Sequence, residues 1–359
     1  MKAAARECEA IDFGYPHATV RMRRAVALRF GLRTVAVNTV LGALMVLVSL
    51  LCLRFGDYPL ETADIFGALS GHGDPFARMI VLQWRVPVVL AAVAFGALLG
   101  VSGAIFQSIT RNPLGSPDVI GFDAGAYTAV VITILVVGTS HYWAVAGAAV
   151  VGGLLTALVV YLLAYQRGVQ GFRLIIVGIA VSAMLGSINA YLITRADIND
   201  AMSVGFWGAG SLSRVTWASI APTVGCGALI LLWAGSLTPA LRQLELGDDT
   251  ALAHGVDSAR ARPALLVAGV AASALVTAAA GPIGFVALSA PQLARRLTGT
   301  PGVTLTSSAF MGGALLTLAQ GISLAFAQWY RTVPVGVITV CLGGLYLIWL
   351  LIRETRRHP

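Results

Sequence analysis

Apolar residues come in long blocks separated by short polar turns, and each block is close to the ~20 residues that carry a helix across about 30 Å of hydrocarbon. Ten such blocks lie at residues 34–53, 86–109, 119–138, 142–165, 174–194, 217–237, 263–280, 282–294, 303–329 and 333–352. None alternates with the period of two that a strand would need, so the pattern predicts an all-α, polytopic integral membrane protein with about ten transmembrane helices. It divides the chain into an N-terminal arm (1–33), a transmembrane domain (34–352) and a C-terminal tail (353–359).

One break in this pattern stands out, GAIFQSITRNPLGSPDVIGFDAG from Gly103 to Gly125. A residue before proline is pushed out of the helical region, so Asn112 is expected to end the helix coming from Pro87, and Pro117 to open the next at its first turn. A short polar hinge is left between two membrane helices.

Composition agrees with the pattern. Hydrophobic residues make up 57% and charged residues 11% of the 359, and mean hydropathy is +0.83, too few charges to solvate a globule of this size. The block at 282–294 is short and carries Gly284 and Pro291, so hydropathy alone allows a re-entrant segment there. If it crosses, 18 of the 24 basic residues fall on the cytoplasmic side with both termini; if it does not, 14 do. The positive-inside rule favours the crossing. The net charge of +8 is then an orientation signal suited to an anionic inner leaflet of membrane lipid, and nucleic acid is not needed to explain it. The apolar run after the arm is too long for a signal-peptide core, which predicts an uncleaved anchor.

Other classes lack their residues. Lys2 is the only lysine and no G-x-x-x-x-G-K-[ST] occurs, so nucleotide chemistry would have to come from a partner and the chain is not expected to be an enzyme. Of ionisable side chains only Asp123 approaches a span, which argues against an ion-coupled secondary transporter or an intramembrane hydrolase. Cys8, Cys52, Cys226 and Cys341 and the five histidines are scattered, so the cysteines read as packed small residues and no metal or other cofactor is implied.

LELGDDTALAHGVD at 244–257 has helical propensity, with Ala251, Leu252 and Val256 on one side and Asp248 and Asp249 at the start, where they complement the helix dipole. By itself it reads as a solvated connector. In GPIGFVALSAPQLARRLTG at 281–299 the glycines and Pro282 loosen a helix start and Pro291 removes a hydrogen bond within a span. Such breaks persist in membranes where they are buried against protein or line a cavity. Ser182, Gly186 and Asn189 share a helical face, as either a polar seam beside a moving substrate or a close-packing face.

These stretches, with WRVPVVL at 84–90, GFWGAGSLSRVTW at 205–217 and VPVGVITVCLGGLYLIWLL at 333–351, resemble in order and spacing the FecCD-type permeases of bacterial ABC importers for ferric siderophores, haem and cobalamin. The resemblance runs from about residue 60 to 354 and implies a type II importer permease in the cytoplasmic membrane. Its implied partners are a cytoplasmic ATP-binding ABC subunit, a second permease subunit and an extracytoplasmic siderophore-binding protein. A ferric siderophore is the implied substrate, with haem or cobalamin as the alternative.

Residue by residue, the resemblance places Asn112 and Leu114, with Gly171 and Phe172, at a cytoplasmic gate. It places Leu246, Gly247, Ala251, Gly255 and Val256 on a coupling helix that docks in the ATPase, and Arg85 and Arg331 at the binding-protein face. The sequence departs from the family pattern at Val88, where a second Arg is common, at Ala287 (Gly), at Gln292 (His) and at Gly344-Leu345 (Ala-Pro). The A-P-Q-L-A-R-R variant is similar to one of two unlike permeases in catecholate importers of the ferric-enterobactin kind.

Overall fold

A computed structural model describes residues 16–23, 26–56, 58–165, 171–329 and 331–355. Lys2, Cys8, most of the N-terminal arm and the tail beyond Thr355 lie outside the described residues. Helices account for most of the described residues, and each of the ten apolar blocks overlaps one.

Before the first helix the arm folds as a hairpin, β1 (His17–Arg23) antiparallel to β2 (Val26–Gly31) with His17 opposite Gly31. The helices follow in chain order. α1 is Leu32–Arg54. Two short helices, α2 (Thr62–Leu69) and α3 (Pro75–Met79), lead through a π-helical turn, Ile80–Arg85, into α4 (Val86–Thr110). α5 (Phe122–Leu135), α6 (Tyr142–Ala164), α7 (Gly171–Thr194), α8 (Ile198–Gly208) and α9 (Trp217–Ser236) come next. α10 (Thr238–Glu245) and α11 (Asp248–Ala253) precede α12 (Ser258–Ala280), α13 (Val286–Thr298), α14 (Leu305–Trp329) and α15 (Val335–Thr355).

By length and composition, seven helical stretches among the described residues can cross a membrane, and α5 and most of α15 are shorter apolar helices. α13, at 13 residues and with Pro291 inside it, is short and amphipathic.

Packing centres on α4, which is lined by glycine where other backbones reach it. A Cβ at Gly96 would overlap Gly312 O of α14, one at Gly100 would overlap Ser308 O, and one at Gly103 would overlap Ala287 O of α13. Small residues permit such approach where no hydrophobic force separates helix from lipid. On another face the Ser102 hydroxyl donates to Gly269 O of α12 at 2.6 Å. Side chains exposed on the outer helices are apolar, among them Val40 and Leu47 on α1, Leu155 and Leu162 on α6, and Leu229 and Leu232 on α9. Lipid or a second subunit can solvate such a surface; water cannot.

Several local expectations are corrected. Pro117 opens an isolated turn and not the helix: Ile120 N–H donates to Ser116 O, Gly121 turns the chain at φ 93°, and α5 begins at Phe122. The block at 282–294 starts late, because Gly281 (φ 78°) and Phe285 (φ 67°) hold residues 281–285 out of the helix. The stretch between the first two apolar blocks contains α2, α3 and the π turn. Asp64 and Glu61 form a reciprocal cap on α2, and the Asp74 side chain accepts from Ala77 N at 3.0 Å on α3. Of the membrane cysteines only Cys52 is buried; Cys226 and Cys341 are exposed.

Candidate translocation and coupling site

The arginine-rich side of the molecule is built where α4 stops. Arg111 takes a left-handed conformation (φ 49°) as the C-cap of α4, and Pro113 prevents continuation. Asn112 then makes a tight turn: its Oδ1 accepts from Leu114 N at 2.9 Å and its carbonyl from Gly115 N at 2.9 Å. Past this turn the chain goes back inward. Gly121 lies against Gly178 and Ser182 of α7, seven and eleven residues from that helix's start, or roughly 10 and 16 Å deep at 1.5 Å per residue.

The four expected gate residues flank this end, Asn112 and Leu114 just past α4 and Gly171 and Phe172 at the start of α7. Gly171 starts α7 directly against the backbone of Thr110, and Leu114 (48% exposed) and Phe172 (73%) are free of the core.

Beside the turn opens a polar cleft of about 650 Å³, lined by Gln107, Asn112, Glu245, Gln292, Arg295 and Arg296 among others. Asn112 reaches it; Leu114, Gly171 and Phe172 do not line it. Gln107 and Glu245 were not singled out by sequence reasoning. Gln107 Nε2 donates to Leu288 O at 2.8 Å and Gln292 Nε2 donates to Gln107 Oε1 at 2.6 Å. Glu245 accepts from the Ser108 hydroxyl at 2.5 Å. A lone Gln and Glu near helix ends give no periodic signal, and only pairings across 185 positions for Gln107 and 137 for Glu245 bring them together with the site.

The segment expected to be one coupling helix is two, α10 and α11, broken at Gly247 (φ 121°). Asp248 pins the start of α11, accepting from Arg111 at 2.9 Å and Arg262 at 2.6 Å. Ala251 is fully buried against the chain's own core beside Leu244 and Leu265, and it does not share a side with Leu252 (67% exposed). Leu246 is exposed, Val256 packs on the same core, and Gly255 (φ 81°) closes α11.

On the opposite side a pocket of about 400 Å³ is lined by Tyr58, Trp84, Phe206, Arg85 and Arg214 among others. Arg85, expected to reach a partner's carboxylates, is engaged within the chain. Its guanidinium donates to Leu53 O at 2.7 Å, Arg54 O at 3.3 Å and Tyr58 O, closing the open end of α1. Hydrogen bonds from a charged donor are worth about 1.5–3 kcal/mol each. Arg85→Ala should therefore lower the apparent Tm in detergent by several degrees at low and high salt alike. A Tm loss that vanishes in high salt would show that a screened surface charge, and not this anchor, was removed. Arg331 is exposed just before α15.

The small-and-polar face of α7 is uneven. Ser182 donates to Gly178 O at 2.8 Å, Gly186 is exposed with nothing within 4 Å of a Cβ, and Asn189 is buried. Nearby, the Thr277 hydroxyl donates to Asp123 Oδ1 at 3.1 Å, giving the single acidic side chain of α5 a partner on α12. Among the described residues no group of three or more His, Cys, Asp or Glu could hold a metal ion.

Comparison with known proteins gives one answer. The chain is 47% identical over 305 residues to the ferric enterobactin transport system permease protein FepG of Escherichia coli, covering 85% of this chain and 92% of that one. It is 33% identical over 324 residues to the iron(3+)-hydroxamate import system permease protein FhuG of Bacillus subtilis, covering 86% and 94%. Its structure is similar to that of a metal-chelate type ABC transporter in an inward-facing conformation, with TM-score 0.77 and 25% identity over 89% of this chain and 99% of that one. Residues 44–353 match the FecCD transport family, and the chain is a member of that family of membrane permeases.

Proposed function

We propose that this protein is a permease subunit of an ABC importer that carries a ferric siderophore, of the catecholate class, inward across the cytoplasmic membrane. The observation that carries the reading is the 47% identity to a ferric enterobactin permease over 92% of its length. The permease itself performs no chemistry: ATP is bound and hydrolysed by a partner ATPase on the arginine-rich side, which is cytoplasmic together with both termini. α10 and α11 meet the ATPase through Leu246 and Leu252. A second, unlike permease subunit completes the path, with Ser182, Gly186 and Asn189 beside it and the Asn112–Leu114 turn and Phe172 narrowing its inner end. A binding protein delivers the chelate to the opposite face near Arg331 and Arg214, on a surface that Arg85 holds in shape.

The test is uptake of radiolabelled iron by cells lacking their own permease pair and supplied with this system. Among chelates of catecholate, hydroxamate and citrate type and haem, only the catecholate should be taken up, and an ATPase subunit without its P-loop lysine should reduce uptake to background. Uptake of haem in place of the catecholate, or uptake that persists without ATP hydrolysis, overturns the proposal.

A further inference from the structure

α13 is a weak helix by its own sequence, since it is short and Pro291 supplies no N–H to the carbonyl four residues back, Ala287 O. α4 covers that defect with one face. Gly103 has its backbone against Ala287 O. Gln107, one turn on and 4% exposed, donates to the next carbonyl, Leu288 O, at 2.8 Å and accepts from the Gln292 side chain at 2.6 Å. The Gln107 amide thus grips α13 on both sides of the proline.

The main chain of the same residue holds the neighbouring turn: Gln107 O accepts from Asn112 N at 3.2 Å. Further along that segment Asp118 Oδ2 accepts from the N–H of Phe285, the left-handed residue that starts α13, at 3.1 Å. Residues 107–118 are therefore bonded to α13 at its start and its middle. The far end of α13 is held differently, by Arg33, which donates to Leu297 O at 2.8 Å.

We infer that Gln107 is a positioning residue for transport, a tie that makes the Asn112–Leu114 turn and the proline-broken helix α13 move as one body. The inference rests on the transport function proposed above only for what the motion accomplishes. Without the tie, the Leu288 carbonyl and the Gln292 amide lose buried partners, α13 bends at Pro291 independently, and closure at the ATPase no longer reaches the turn.

The test uses the assembled complex with its ATPase and partner permease, in a background lacking Cys8, Cys52, Cys226 and Cys341. Asn112→Cys is labelled by a membrane-impermeant thiol reagent in inverted vesicles, with and without a non-hydrolysable ATP analogue. With Gln107 present, labelling should change with nucleotide; with Gln107→Leu it should become the same in both states, while the complex still co-elutes on size exclusion. In proteoliposomes without the cysteine, Gln107→Leu should lower chelate transport about tenfold at an ATPase rate within about twofold of wild type, raising the ATP used per chelate. If Gln107→Leu does not assemble, Gln292→Leu removes one bond of the tie from the half-buried side and should shift labelling the same way, with Gln292→His, which keeps an N–H donor, restoring it. Nucleotide-dependent labelling that survives Gln107→Leu or Gln292→Leu unchanged overturns the inference. A wild-type complex that switches its labelling but moves no ferric chelate overturns the substrate assignment alone and leaves the tie standing.

Discussion

Gly100→Ala should lower the apparent Tm of the purified protein by roughly 4 °C, for an added volume of one methyl group. The methyl has nowhere to go. A Cβ at Gly100 would overlap Ser308 O, and one turn away Gly96 and Gly312 stand backbone to backbone, so the obstruction is main chain on two buried helices and not a side chain that can rotate. Overpacking that displaces side chains costs about 1–3 kcal/mol, and displacing the axis of α14 from α4 also loosens the contact of α13 with α4 through Gly103. Gly225→Ala on α9 is the matched control. A Cβ there meets nothing within 4 Å, and alanine is the better helix former by about 0.5–1 kcal/mol, so the control should be neutral or slightly stabilised. Equal Tm values for the two variants, measured by thermal unfolding in one detergent, would show that the α4–α14 seam is not the close contact described.

The sign difference between those two glycines marks the limit of what the sequence discloses. Hydropathy reveals each apolar block because the bilayer imposes a minimum length on any crossing helix, and the break at 112–117 is visible because proline acts locally. Which of forty glycines sit at a backbone contact is set by tertiary approach, and Gly100 and Gly225 look alike in a sequence. Short pieces such as α2, α3 and α8 escaped for a different reason: at 8, 5 and 11 residues they are too short to stand out as apolar blocks. The candidate site was half legible. The Asn112 turn follows from its proline and the roles given to it and to the coupling segment from resemblance, whereas Gln107 and Glu245 depend on partners more than 130 positions away. Arg85 was ambiguous in the sequence, since a terminal arginine suits an outside carboxylate and an inside carbonyl equally well, and only the neighbouring end of α1 shows the carbonyls it meets.

Leu252→Asp should cost the complex its ATPase while leaving the permease fold intact, and Ala251→Trp should do the reverse first. Both residues lie on the same short helix, but Leu252 is 67% exposed and Ala251 is 0% exposed. A leucine that exposed on a soluble-side helix has no intramolecular reason to be apolar, and it suits the groove of a cytoplasmic partner. Placing a carboxylate there buries a charge at the contact, for which a loss of about 2 kcal/mol or more, roughly thirtyfold in affinity, is expected. The ATPase should then fall away on affinity purification while the Tm of the free permease stays at the wild-type value. Ala251 contacts the core that includes Leu241, Leu244 and Leu265. An indole cannot be added there without lifting α11 off α12 and straining the Asp248 ion pairs with Arg111 and Arg262, so the free permease itself should melt earlier. Measuring both quantities for both variants separates the two faces of the helix: an Ala251→Trp protein that melts like wild type but loses the ATPase would mean that Ala251, and not Leu252, meets the partner.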